Sequence, residues 1–157
     1  MRLILLRHAK SEWGDAGQED VDRVLAQRGR RDAPRIGDWL RALGDAPDRI
    51  LVSAAARTRE TWALTGLDGA PEFREDLYLA TPGTILSVLP AEGCVLVLGH
   101  NPGLGVAAMR FAADPPDDED FRRFPTCACA VLDFDGPPVW REGRLAAFTT
   151  PRRLPMD

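Results

Sequence analysis

Leu3-Ile4-Leu5-Leu6-Arg7-His8 is a short apolar run closed by a histidine, and Val95-Leu96-Val97-Leu98-Gly99-His100 is a second. Runs of this length, bounded by polar or turn-forming residues, read as strands buried on both faces of a sheet. Together they use the chain's 2 histidines. In an α/β protein the carboxyl end of a buried strand is where ligands bind. Two strand-end histidines, one led by arginine, therefore describe a site built for an anion.

Strand and helix signals alternate outward from these runs. The first strand covers about 2–6, a polar loop covers 10–24, and a helix of about 26–43 carries Ile36, Trp39, Leu40 and Leu43 at helical spacing. Gly44 is placed to stop that helix, with Pro47 beyond it. Arg49-Ile50-Leu51-Val52-Ser53 is the second strand and 55–65 the next helix. A short strand is expected near Glu72-Phe73-Arg74, then a helix of about 82–89 with Pro82 early in it. Strand 94–98 leads to His100, and Asn101-Pro102-Gly103 turns into a helix of about 104–112. Pro115 to Asp120 reads as a solvated loop. Strands near 127–134 and 145–149 are joined through Gly136-Pro137-Pro138 as a closing hairpin. The pattern predicts one α/β domain over residues 1–157: a three-layer sandwich with a mostly parallel central sheet, helices on both faces and an antiparallel edge.

Composition excludes several classes. A formal net charge of -4 provides no global basic field for nucleic acid or membrane. No apolar run approaches the ~18–20 residues of a membrane helix, and Met1-Arg2 leads straight into a strand with no signal peptide in view. The 3 cysteines, Cys94, Cys127 and Cys129, form no disulfide framework, which points to reduced thiols in a cytoplasmic protein. Cys127-Ala128-Cys129 is expected to alternate within a strand, with both thiols buried on one face. The 2 histidines and scattered carboxylates offer no divalent-metal site, and no cofactor is implied. A monomer is expected.

Three clusters carry chemistry. Arg7-His8 is followed in the same loop by Lys10 and Ser11, a cation and a hydroxyl donor; guanidinium grips phosphate through paired hydrogen bonds. A neutral imidazole, with pKa near ~6.5, is a nucleophile at neutral pH. In the second cluster Ser53 ends a strand and Arg57 falls in the first turn of the next helix, from which it reaches back over the strand end. Arg59 is expected to face solvent. The third is Gly99-His100-Asn101-Pro102-Gly103, where a glycine before the histidine would let backbone approach a ligand.

Leu6-Arg7-His8-Ala9-Lys10-Ser11-Glu12-Trp13 resembles the signature of the histidine phosphatase superfamily, whose phosphoglycerate mutase branch carries R-H-G-x-S-x-W-N. Val52-Ser53 through Arg57 to Thr61 resembles its second motif, and Leu98-Gly99-His100-Asn101 its third. Short length and Leu25-Ala26-Gln27-Arg28-Gly29 bring the chain closest to the SixA-type phosphohistidine phosphatases. The resemblance implies that His8 is a transiently phosphorylated nucleophile. Arg7, Arg57 and His100 would surround the phosphoryl group, with Ser11 and Asn101 as further phosphate contacts. Two positions depart from the pattern: Ala9 stands for glycine, and Gly14 for the mutase-branch asparagine.

The function expected is a metal-independent phosphatase acting on phosphohistidine of a partner protein. The alternatives are a phosphatase of small phosphate monoesters and a phosphate- or phosphoprotein-binding module without turnover. Little chain is left for a lid, which suits a protein-borne phosphoryl group. An ester would need a proton donor for its leaving alkoxide. Glu75 and Asp76 stand where the superfamily often keeps that acid.

Overall fold

The computed structural model describes residues 1–44 and 46–156. The strands are β1 (Arg2–Arg7), β2 (Arg49–Ser53), β3 (Pro71–Arg74), β4 (Cys94–Gly99), β5 (Cys129–Asp133) and β6 (Arg144–Thr149). The helices are α1 (Gln27–Ala42), α2 (Ala56–Thr65), α3 (Pro82–Ser87), α4 (Gly103–Phe111) and α5 (Glu119–Arg123), with 3-10 turns at Asp20–Asp22, Glu75–Leu77 and Pro151–Arg153.

One six-stranded sheet runs β3-β2-β4-β1-β5-β6. β1, β2, β3 and β4 pair in parallel, while β5 and β6 are antiparallel to their neighbours. Alternation along β1 explains the layers: Leu3 and Leu5 pack with Leu104, Ala108 and Phe111 of α4, and with Phe121 of α5, on one face. Ile4 and Leu6 pack with Ile36 and Leu40 of α1 and Trp62 of α2 on the other. Both faces are covered, which is why these strands read as unbroken apolar runs. Each fully buried leucine contributes about 1.5–3 kcal/mol of transfer free energy. The three-layer α/β expectation holds, with β6 as the antiparallel edge.

Local signals acted as expected at most boundaries. Gly44, at φ +86°, follows the end of α1, and the Thr81 hydroxyl caps α3 by accepting from Thr84 N. Two readings need correction. The acidic stretch is not loop to its end, because Asp118 Oδ1 accepts from the Asp120 and Phe121 amides and starts α5. Cys127 is not in a strand: it sits at φ +62°, before β5 begins. It still reaches the same core as Cys129, and both thiols are fully buried. Among the described residues no helix is long and apolar enough to cross a membrane.

β1, β2 and β4 run parallel and adjacent, so their carboxyl ends meet at one sheet edge. His8 N donates to Gly99 O at 3.1 Å, which places the residue after β1 beside the residue before His100. Ser53 closes β2 on the other side of β4.

Candidate active site

A cavity of about 340 Å³ opens at that edge. From the β1 end it is lined by Arg7, His8, Lys10, Ser11 and Trp13; from the loop and α2 by Asp20, Arg23 and Arg57; from the β4 end by His100 and Asn101. Arg7, His8, Ser11, Arg57, His100 and Asn101 are therefore brought together. Glu75 and Asp76 are not among the lining residues. Both are exposed, and the Asp76 carboxylate takes two hydrogen bonds from Arg74, at 2.9 and 2.8 Å.

His8 is 7% exposed, and its Nδ1 lies 2.8 Å from Ala9 O. A carbonyl only accepts, so the proton sits on Nδ1 and the lone pair on Nε2. Burial, then Arg7, Arg57 and Arg23, lowers its pKa to about 3, well below the ordinary imidazole value assumed from sequence. The ring is a neutral base near neutral pH. Ala9, in place of glycine, keeps φ outside the positive range and donates its amide to Thr61 Oγ1 at 3.0 Å, so the substitution strains nothing.

The His100 ring centroid lies 5.3 Å from that of His8. Its Nε2 meets Ser53 Oγ at 2.7 Å, which gives the buried Ser53 a job. Its pKa is also lowered to about 3, by burial first and then by the facing His8 and Arg57. A Cβ on Gly99 would meet only a Leu104 methyl, at 3.8 Å, so nothing in the fold itself demands glycine there.

Arg7 Nη1 donates to Phe124 O at 3.1 Å. Burial, then Arg57, lowers the pKa of its guanidinium from the usual arginine value. Arg57 is 3% exposed. Arg7 Nε, Arg57 Nε and His100 Nδ1 are buried with no hydrogen-bond partner among the described residues. Buried donors are rarely left so, and three around one cavity mark a place for acceptor oxygens. The Ser11 oxygen accepts from Arg23 Nη2 at 2.8 Å, which leaves its O–H to donate.

Asn101 requires a correction. Its Nδ2 donates to Arg123 O and Phe124 O, at 3.1 and 2.9 Å, and its Oδ1 accepts from Gly105 N at 3.0 Å. Both amide hydrogens are spent, so the side chain clamps backbone and has none left for a phosphoryl oxygen. Gly14 is exposed and outside the cavity lining, so it supplies no substitute for the mutase-branch asparagine.

Sequence reading missed Asp20. Its carboxylate accepts from Arg57 Nη2 at 3.0 Å, from Arg23 Nη1 at 2.8 Å and, through a short hydrogen bond, from the Tyr78 hydroxyl. Its main-chain oxygen takes Arg57 Nη1 at 2.7 Å. The Tyr78 bond, then Arg23 and Arg57, holds its pKa well below the usual carboxylate range. No pattern in a polar loop announces such a contact. The cavity can thus present two arginines and two imidazoles to an anion, with one nucleophilic nitrogen and one carboxylate in its wall.

Comparison with known proteins bears on the family and the fold. Residues 3–78 match the model of the histidine phosphatase superfamily (branch 1). The chain is 40% identical over 140 residues to the uncharacterized protein Rv1276c of Mycobacterium tuberculosis, covering 83% of this chain and 88% of that one. It superposes with TM-score 0.79 and 30% identity on a candidate phosphohistidine phosphatase SixA from Nakamurella multipartitia, covering 96% and 95% of the two chains. A second candidate SixA, from Agrobacterium tumefaciens, gives 0.76 and 33%, covering 96% and 97%.

Proposed function

The chain belongs to the histidine phosphatase superfamily, on its SixA-like side, and on that premise we propose that it hydrolyses phosphohistidine on a partner protein through a phospho-His8 intermediate. The superfamily and its SixA neighbours support phosphatase activity in general; the substrate, the residue roles and the steps are our reading.

One observation carries it. Three buried nitrogens of Arg7, Arg57 and His100 lack partners among the described residues, around the same cavity that His8 lines. Phosphoryl transfer is largely a matter of position and electrostatics, and fixed cations in a buried site stabilise the charge that spreads over the equatorial oxygens. His8 Nε2 forms the bond to phosphorus while the bond to the leaving nitrogen breaks. Arg7, Arg57, Ser11 and the His100 Nδ1–H hold the oxygens, with Ser53 donating to His100 Nε2 so that the proton stays on Nδ1. The arginines supply the charge that a metal would otherwise bring. Leaving imidazole takes a proton far more readily than an alkoxide does, so a phosphohistidine substrate needs no strong acid. Of the segment after α2, only Leu79 lines the cavity, which leaves it open to a protein-borne group. The buried thiols of Cys127 and Cys129, unbridged to one another, fit a reducing cytoplasm.

The test is rapid-quench labelling with a phosphohistidine protein as donor. Acid-labile, base-stable phosphate should appear on His8 of the wild type and vanish in His8→Ala. Label surviving in His8→Ala moves the nucleophile elsewhere, and binding without turnover makes the chain a phosphoprotein-binding module. Alkyl phosphates should turn over far more slowly than phosphohistidine; equal rates would favour the small-ester reading.

A further inference from the structure

The hydrolytic half of the reaction has a proton to place. With Nδ1–H already donated to Ala9 O, His8 leaves phosphorus as a neutral ring by taking back only the electron pair of the P–Nε2 bond. The ring accepts no proton. When the oxygen of water forms its bond to phosphorus, the proton it sheds must go to another base.

Asp20 is the single carboxylate lining the cavity among the described residues. It sits on the loop wall, on a different element from His8, and an in-line water must approach phosphorus from the side away from Nε2. Arg57 bonds Asp20 through both Nη atoms, while its Nε has no partner among the described residues. The same guanidinium is thus shared between the carboxylate and the place for a phosphoryl group. A phosphoryl group drawing Arg57 inward would leave the Asp20 carboxylate oriented by Arg23 and Tyr78. Arg23 is itself fixed, through Glu12 O at 2.7 Å and Ser11 Oγ at 2.8 Å.

We propose that Asp20 is the general base that takes the proton from the water attacking phospho-His8, a role that rests on the phosphoenzyme reading above. Water, the phosphoenzyme and the Asp20 carboxylate become hydrogen phosphate, neutral His8 and protonated Asp20, which returns its proton to solvent. Arg57 is one of the contacts that lower the carboxylate's pKa, so its withdrawal toward the phosphoryl group would raise the basicity of Asp20 as the water arrives. The base stands apart from Glu75 and Asp76, which lie outside the cavity lining.

A chromogenic nitrophenyl phosphate separates the two halves, because its leaving group needs no acid: the burst reports phosphorylation of His8 and the steady state reports hydrolysis. In Asp20→Asn the burst rate should stay within a few-fold of wild type. The steady-state rate should fall roughly 10²–10⁴-fold, with acid-labile phospho-His8 accumulating towards one per chain. Inorganic phosphate should inhibit the variant at least as well as wild type, since Arg57 loses a competing anion. Asp20→Glu should recover part of the hydrolysis rate. Burst and steady state falling together, with weaker inhibition by phosphate, would make Asp20 a support for Arg57 and overturn the proposal. An unchanged steady-state rate would overturn it too. Wild type that forms no phosphoenzyme would defeat the parent reading, a result distinct from either.

Discussion

Arg57 and Arg59 stand two residues apart on α2 and meet different surroundings. Arg57 is buried in the cavity wall, whereas Arg59 is exposed, donates to Ala54 O at 2.9 Å and stacks over the Phe73 ring at 4.0 Å. Arg57→Ala should cost about 10²–10³ in kcat/KM, the scale of losing a charge-assisted contact to a developing charge, and Arg59→Ala less than about threefold. Steady-state kinetics on one substrate checks both, and similar losses would mean that the face is misassigned. The histidines make a second residue-scale prediction. Their folded pKa values near 3 lie below the unfolded value near ~6.5. Between those values the unfolded chain binds more protons, so their contribution to stability is complete above pH ~6.5 and declines as pH falls. The decline approaches about 1.4 kcal/mol per pH unit for each histidine. Urea unfolding at pH 7.0, 6.0 and 5.0 should show it, and His8→Gln should flatten the slope; no change in slope would contradict neutral burial. What sequence made legible at this scale is what spacing encodes: Arg7, His8, Ser53, Arg57 and His100 stand at strand ends or one helical turn beyond. Asp20, Arg23 and Tyr78 were not legible, because their meeting depends on how an irregular loop folds back. Asn101 was legible as a position but not as a role, since its amide hydrogens go to a distant segment.

Two glycines of α1 show how an element constrains the site. A Cβ on Gly37 would lie 1.9 Å from Thr65 O, where α1 meets the end of α2. One on Gly29 would lie 2.2 Å from Lys10 O, in the loop that carries Ser11 into the cavity. Neither contact is with a flexible side-chain tip, so each alanine variant should lose about 1–3 kcal/mol of stability. Only Gly29→Ala should also lower kcat, because it displaces the Lys10–Ser11 loop. Thermal melts paired with assays well below both midpoints would distinguish the two, and equal kcat values would show that the loop absorbs the shift. The long elements were legible because apolar period and breakers agree: β1 and β4 as unbroken runs, α1 as a stripe ending at Gly44. α5 was hidden because five residues carry too little period, and its start depends on the Asp118 cap. Cys127 was misread because alternation in sequence cannot reveal a left-handed residue preceding the strand.

Across the whole molecule, the sheet order brings the ends of three parallel strands together, while β5 and β6 extend the core at the other side. Catalysis and packing are thereby divided between parts of one sheet, which is why the fold could be read from alternation and the site from strand ends. The same division decides where sulfur goes. Cys127 and Cys129 are sealed in the core, where burial pushes both thiols well above their ordinary pKa. Cys94 opens β4, at the end of the strand away from His100. Thiolate is the form that peroxide and alkylating agents attack. With two thiols shut away and Cys94 at the far end of its strand, a site that works through His8 as proposed should keep working under oxidative stress that silences cysteine-dependent phosphatases. Brief treatment of the native protein with iodoacetamide or millimolar peroxide should leave turnover within about twofold; inactivation tracking modification of Cys127 or Cys129 would show that the core opens. Resistance to oxidants would then follow from the architecture itself, with no separate protective device.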